Sequence, residues 1–208
     1  DLIWLNGENF ATMRQADALL ATGWAEHLPN AELVDWDDPA LAFDAGRPVA
    51  FTTSPWGSAQ FQFVADSDRT APEALPRSYA ELATWIRANP GRFTYPAPPA
   101  FHGTRFLTQW FHELDGDPEA WVTDLDEERY AEVSGELFDL LEELAPSLWR
   151  EGATYPNEIA DLDRLFANGE VDLTFTQLPA GIGANIDAGV LPPTARPFVF
   201  DTGTIGDH

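Results

Sequence analysis

Apolar positions fall into short, separated runs, and their spacing switches repeatedly between the period of a strand and that of a helix. The chain opens on Asp1-Leu2-Ile3-Trp4-Leu5, which reads as a buried strand, and Asn6-Gly7-Glu8-Asn9 reads as a polar turn into a helix. The stripe of that helix is Phe10, Met13 and Leu20, with Ala16 between them. Residues 22–46, with Pro29 and Pro39, keep no period. Pro48 to Thr53 reads as extended, Ser54-Pro55-Trp56-Gly57-Ser58 as a turn, and Gln60-Phe61-Gln62-Phe63-Val64 alternates as a half-buried strand should.

Ser78 with Glu81 three positions later is a capping box opening a helix with Leu82, Trp85 and Ile86 on one face, ended by Asn89-Pro90-Gly91. Phe93-Thr94-Tyr95 reads as a short strand, Pro96 to Pro99 as a stiff loop, and Phe101-His102-Gly103-Thr104 as the lead into a helix. That helix carries Phe106, Leu107, Trp110, Phe111 and Leu114, so strand, loop and helix form half of a βαβ unit. Tyr130, Val133, Leu137, Leu141 and Leu144 predict a further helix, as do Ile159, Leu162, Leu165 and Phe166 up to Asn168-Gly169. Val171 to Phe175 is then a strand, Gln177 to Gly181 a loop, residues 182–188 a short helix, and Phe198-Val199-Phe200 a last strand before a Gly-Thr loop. The alternation predicts the α/β class. Apolar strands at both ends, with no flanking tail and no leader, read as a segment of a longer, processed protein.

Composition changes this picture at one point. The chain has 208 residues, 35 acidic against 11 basic side chains, and a net charge of −24. All eleven basic residues are Arg. At 44% apolar residues there is material for a core, so the acidity does not mean disorder. It does exclude nucleic acid as a partner, since phosphates would meet a repulsive field with no basic patch. The excess reads as adaptation to strong salt, where the Debye length falls to about 3 Å at 1 M. A plainly acidic mesophilic protein is the alternative. Residues 113–143 hold thirteen acidic side chains and one Arg, which read as a solvated helix face rather than a calcium site.

Candidate chemistry is sparse. There is no Cys, hence no disulfide and no thiolate ligand or nucleophile. His27, His102, His112 and His208 share no metal-ligand spacing, and neither a Gly-x-Ser-x-Gly elbow nor a phosphate loop occurs. No cofactor and no metal are expected. Three loops, Asn6 to Asn9, Phe101 to Thr104 and Gln177 to Gly181, are expected to follow strands and precede helices, the position of ligand crevices in open α/β sheets. Thr104 reads either as a helix cap or as a ligand contact.

The stretches DLIWLNGENF (1–10), SPWGSAQFQF (54–63), NPGRFTYP (89–96), TYP (154–156), LFANGEVDL (165–173) and DTGTIG (201–206) resemble an ABC-importer extracellular solute-binding protein. Within the type II periplasmic binding proteins they are most similar to a YnjB-like group. The resemblance implies two α/β lobes closing on a solute. By it, residues 1–55 are part of one lobe with the first crossing strand, 56–197 the nearly complete second lobe, and 198–208 the returning strand. It implies ligand contacts from Asn6, Gly7, Glu8, Trp56, Gly57, Gly103, Thr104, Tyr155, Thr202 and Gly203, and the loop positions add Phe101 and Gln177 as candidate contacts. Gln177-Leu178-Pro179 departs from the more polar, Asn-containing loop expected there. The resemblance also implies export to the periplasm or cell exterior, an ABC permease as partner, and a small polar solute such as thiamine, a polyamine or iron. Trp56, Phe101 and Tyr155 offer faces for a ring or quaternary cation, and Glu8 a partner for a positive group. Two other classes stay open: a hydrolytic enzyme, for which no nucleophile or separable carboxylate pair is found, and an interaction module presenting its acidic helix.

Overall fold

The structure, a computed structural model, describes residues 2–5, 7–44, 47–57, 59–117, 126–204 and 206–207. The chain divides into two compact units: residues 1–59 with 117–126 and 206–208, and residues 60–116 with 127–205.

In the first unit, residues 2–5 are not a strand, and Leu2 is 93% exposed. An apolar run becomes a strand only where a ladder partner takes its backbone groups; these residues have none among those described. Helix α1 (Gly7–Gln15) starts inside the expected turn. Phe10 is fully buried, but Asp17 turns left-handed at φ 51°, the Ala18 N–H closes on the Met13 carbonyl, and the helix stops. Leu20, expected on the stripe, is therefore exposed. The short helix α2 (Pro39–Ala42) leads to strands β1 (Phe43–Asp44) and β2 (Arg47–Pro48), which pair antiparallel. The extended run expected to Thr53 ends at Pro48, because Ala50 and Phe51 are left-handed at φ 47° and 55°. Their carbonyls accept the N–H groups of Gly23 and Ala25, which fixes the turn.

A two-residue strand β3 (Ala59–Gln60) precedes the three-stranded sheet of the second unit. Its strands are β4 (Gln62–Asp66), β5 (Leu173–Thr176) and β6 (Ala195–Phe198), in the order β5-β4-β6, and both pairings are antiparallel. Phe63 faces Phe175 on one side and Phe198 on the other. Strand β4, which begins two residues into the run expected to be half-buried, is buried along its whole length, because the central strand of a covered sheet has no wet face. The last strand lies earlier than the apolar run 198–200 suggests: β6 is an edge strand, where Arg196 and Pro197 are tolerated facing solvent.

Helices α3 (Tyr79–Ala88), α4 (Phe101–Asp115), α5 (Glu127–Leu144), α6 (Ile159–Ala167) and α7 (Gly181–Asp187) surround this sheet. Ser78 caps α3 by accepting the Glu81 N–H at 3.1 Å, while the Glu81 carboxylate takes the N–H of Arg77, so only half of the box closes on Ser78. Helix α5 buries Val133, Leu137 and Leu144 and turns its acidic positions outward. The core is aromatic: Phe106 stacks on Phe175 at 5.4 Å and Phe63 on Phe200 at 4.6 Å, with Tyr79 and Trp110 packed beside them. Phe93 to Tyr95 is buried but joins no ladder; the Phe93 carbonyl instead accepts the Trp149 N–H. The expected βαβ half-unit is therefore absent. Among the described residues no helix is long and apolar enough to cross a membrane.

Candidate functional site

Three groups of residues carry the polar and aromatic features singled out in the sequence. The first lies in the second unit where the proline loop meets α4. Pro98 and Pro99 cannot donate a backbone hydrogen bond, and α4 begins directly after them, with Ala100 as its N-cap. Phe101 to Thr104 is thus the first turn of the helix rather than a loop. The Thr104 N–H donates to the Ala100 carbonyl at 2.9 Å, so Thr104 is not the cap, and its side chain is exposed. Gly103 is buried against the loop: a Cβ there would sit 1.9 Å from the Pro96 carbonyl oxygen. Its lack of a side chain serves this packing.

The Ala97 N–H donates to the Pro156 carbonyl at 3.0 Å and ties segment 154–158 to the same junction. Tyr155 is half-buried, its ring 5.2 Å from that of Tyr95 and inclined at 52°. Burial, reinforced by Tyr155, pushes the Tyr95 phenol far above its usual range. Phe101 is exposed, with the Arg105 guanidinium 5.4 Å above its ring. His102 is half-buried, and burial lowers its imidazole below the ordinary value, opposed by the Glu158 carboxylate. The structure therefore brings Phe101, Gly103, Thr104 and Tyr155 to one junction and adds Tyr95, His102 and Glu158. Reading Tyr95 as part of a strand and His102 only as a potential metal ligand hides both from the sequence. Their positions flanking Pro96 to Pro99 are the signal that could have found them.

The second group, also in the second unit, joins the end of β5 to the segment after β6. The Gln177 carbonyl accepts the Gln60 N–H at 3.0 Å, and the Gln60 amide donates to Thr204 Oγ1 at 3.1 Å. Thr202 and Gly203 are exposed; Gly203 sits at φ 92°, a conformation glycine adopts without strain, and its N–H closes on Phe200. The Asp201 carboxylate pairs with Arg77 at 2.8 Å. Of the three expected strand–loop–helix junctions, only Gln177 to Gly181 has that form.

The third group is in the first unit. The Gly7 N–H donates to both Asp44 carboxylate oxygens, at 2.9 and 3.0 Å, with Gly7 left-handed at φ 57°. Trp56 is 80% exposed, its ring 4.7 Å from Trp4 and inclined at 62°, and Gly57 has open space where a side chain would be. Asn6 and the Glu8 side chain lie outside the described residues. Among the described residues no cluster of three or more His, Asp or Glu could hold a metal.

A family model for bacterial extracellular solute-binding proteins matches residues 1–195. Protein YnjB of Escherichia coli (strain K12) is 42% identical over 208 residues, covering 100% of this chain and 52% of YnjB. An ABC transporter structure from Clostridium perfringens ATCC 13124, 17% identical, superposes with a TM-score of 0.62 over 97% of this chain and 54% of its own. The periplasmic binding protein AfuA from Actinobacillus pleuropneumoniae, solved with fructose-6-phosphate bound, is 14% identical, with a TM-score of 0.54 over 98% and 55%. The solute receptor AcbH, whose structural study reports an exclusive preference for β-D-galactopyranose, is 16% identical, with a TM-score of 0.52 over 95% and 50%. The chain belongs to the bacterial extracellular solute-binding proteins and is a homologue of YnjB. Its fold is the α/β fold of periplasmic binding proteins, and the chain spans about half the length of the relatives it matches.

Proposed function

We propose that this protein is the solute-capturing component of an ABC importer, exported and working outside the cytoplasmic membrane, and that it binds its solute without transforming it. The match to the solute-binding family over residues 1–195 carries this reading. The α4 junction supports it: Phe101 offers an apolar face, Thr104 an exposed hydroxyl, and Tyr155 a phenol whose ring packs beside Tyr95, which suit recognition of a small polar solute. Thr202 and Gly203, in the same unit, are proposed as further contacts. A permease is the proposed protein partner, and the acid excess suits a host or surroundings rich in salt.

The direct experiment is to denature the purified protein, identify any small molecule released, and titrate it back. Stoichiometric, saturable binding with the solute recovered unchanged is the expected result. Chemical conversion of the solute would replace the binding reading with an enzymatic one.

A further inference from the structure

The side-chain NH2 of Gln177 is held where it meets no hydrogen-bond partner among the described residues. Its backbone is fixed on both sides: the carbonyl accepts from Gln60, and the next N–H, of Leu178, donates to Thr176 Oγ1 at 3.0 Å. The residue is only 8% exposed, and Nε2 is buried with no partner among the described residues. Gln60, beside it, shows the ordinary outcome, since its amide is committed to Thr204. The segment is not sealed in the core, because Leu178, Pro179 and Ala180 are all exposed. A buried amide NH2 left unpaired lowers the stability of a fold. An apolar side chain of the same size would suit the apo protein better.

We propose that Gln177 reads the solute: its side-chain NH2 donates to an oxygen acceptor on the bound molecule, a hydroxyl, carbonyl or phosphoryl oxygen. The inference rests on the solute-binding reading above and adds the chemical group that the solute presents at this point. A site built around an amide donor discriminates against molecules lacking the acceptor, since they leave the donor buried and unpaired.

The test compares the wild-type protein with Gln177→Leu and Gln177→Glu, by apo melting and by calorimetric titration of D-galactose, D-fructose 6-phosphate and tetramethylammonium, the last having no acceptor. Wild type is expected to bind an oxygen-bearing probe. Both variants should bind it about tenfold more weakly, the Glu variant because a carboxylate keeps the size but not the donor. Apo Gln177→Leu should melt higher by about 2–4 °C, since the unpaired amide is gone. A lower melt for Gln177→Leu overturns the proposal, because the amide is then paired inside the fold. Unchanged affinity in both variants, or binding of tetramethylammonium alone, also overturns it and leaves solute binding standing. If the wild-type protein neither binds a probe nor releases a bound molecule on denaturation, the solute-binding reading fails and this inference with it.

Discussion

Gly103 in the first turn of α4 lies so close to the Pro96 carbonyl that a methyl group in place of its hydrogen would sit 1.9 Å from that oxygen. The obstacle is backbone held by its neighbours: the next N–H, of Ala97, is bonded to the Pro156 carbonyl. Gly103→Ala must therefore separate α4 from the proline loop, and overpacking of this kind costs about 1–3 kcal/mol. A melting curve within 1 °C of wild type would show that the helix is not seated on the loop.

Arginine is the only cation in this chain apart from His, and at Arg69 the choice has a geometric reason. Its guanidinium donates to Asp66 at 2.9 Å, to the Phe166 carbonyl at 2.7 Å and to the Val171 carbonyl at 3.3 Å, and lies 4.9 Å above the Phe166 ring. A lysine cannot reach three acceptors in one plane. Arg69→Lys is expected to cost about 1–3 kcal/mol, whereas Arg77→Lys, at an exposed pair with Asp201, should melt like wild type. Equal losses at both sites would contradict the clamp.

Three half-buried groups give pH responses of two opposite signs. Burial holds His102 below its ordinary value of 6.5, so its neutral form contributes stability above that pH. The contribution is lost as pH falls through the folded value. His112 behaves alike, with Asp115 opposing burial. His102→Gln should therefore lose less melting temperature than wild type between pH 7.5 and 5. Asp163 is raised above 3.8 by burial, which the 2.8 Å hydrogen bond from Thr174 offsets only in part. Its favourable contribution is present below 3.8 and is lost as pH rises through the folded value. Asp163→Asn should melt higher than wild type at pH 7, and the gap should close at acid pH. A gap of the reverse sign would show that the Thr174 hydrogen bond outweighs burial.

With a net charge of −24, self-repulsion opposes the compact state in dilute buffer. Unfolding free energy should rise from low salt to molar NaCl, and equally in KCl, because screening is indifferent to the cation. A flat or falling melting temperature across that range would remove salt adaptation as the reason for the acid excess.

Helices were the most legible part of the sequence, because an apolar stripe such as Leu82, Ile86 or Leu162, Phe166 has one favourable placement. Strands were less so. Leu2 to Leu5 and Phe93 to Tyr95 are apolar but make no ladder, since a strand depends on a distant partner that local pattern does not encode. The left-handed pair Ala50-Phe51 was hidden because neither residue advertises positive φ; the carbonyl acceptor positions facing Gly23 and Ala25 decide it. At the junction, Phe101 was singled out by its place ahead of a predicted helix and Tyr155 through resemblance. The part of Gly103 that contacts Pro96 was not, because a close approach of backbone to backbone leaves only a glycine behind in the sequence.

The central claim is that this protein binds a small solute and does not transform it. The measurement that tests it most directly is calorimetric titration of the molecule released on denaturation, with a melt at each concentration and recovery of the ligand afterwards. Saturable binding is expected, with a melting temperature that climbs with the logarithm of free ligand above the dissociation constant, and with all ligand recovered intact. A folded protein whose melt stays fixed at every concentration, or a ligand recovered as product, would contradict it.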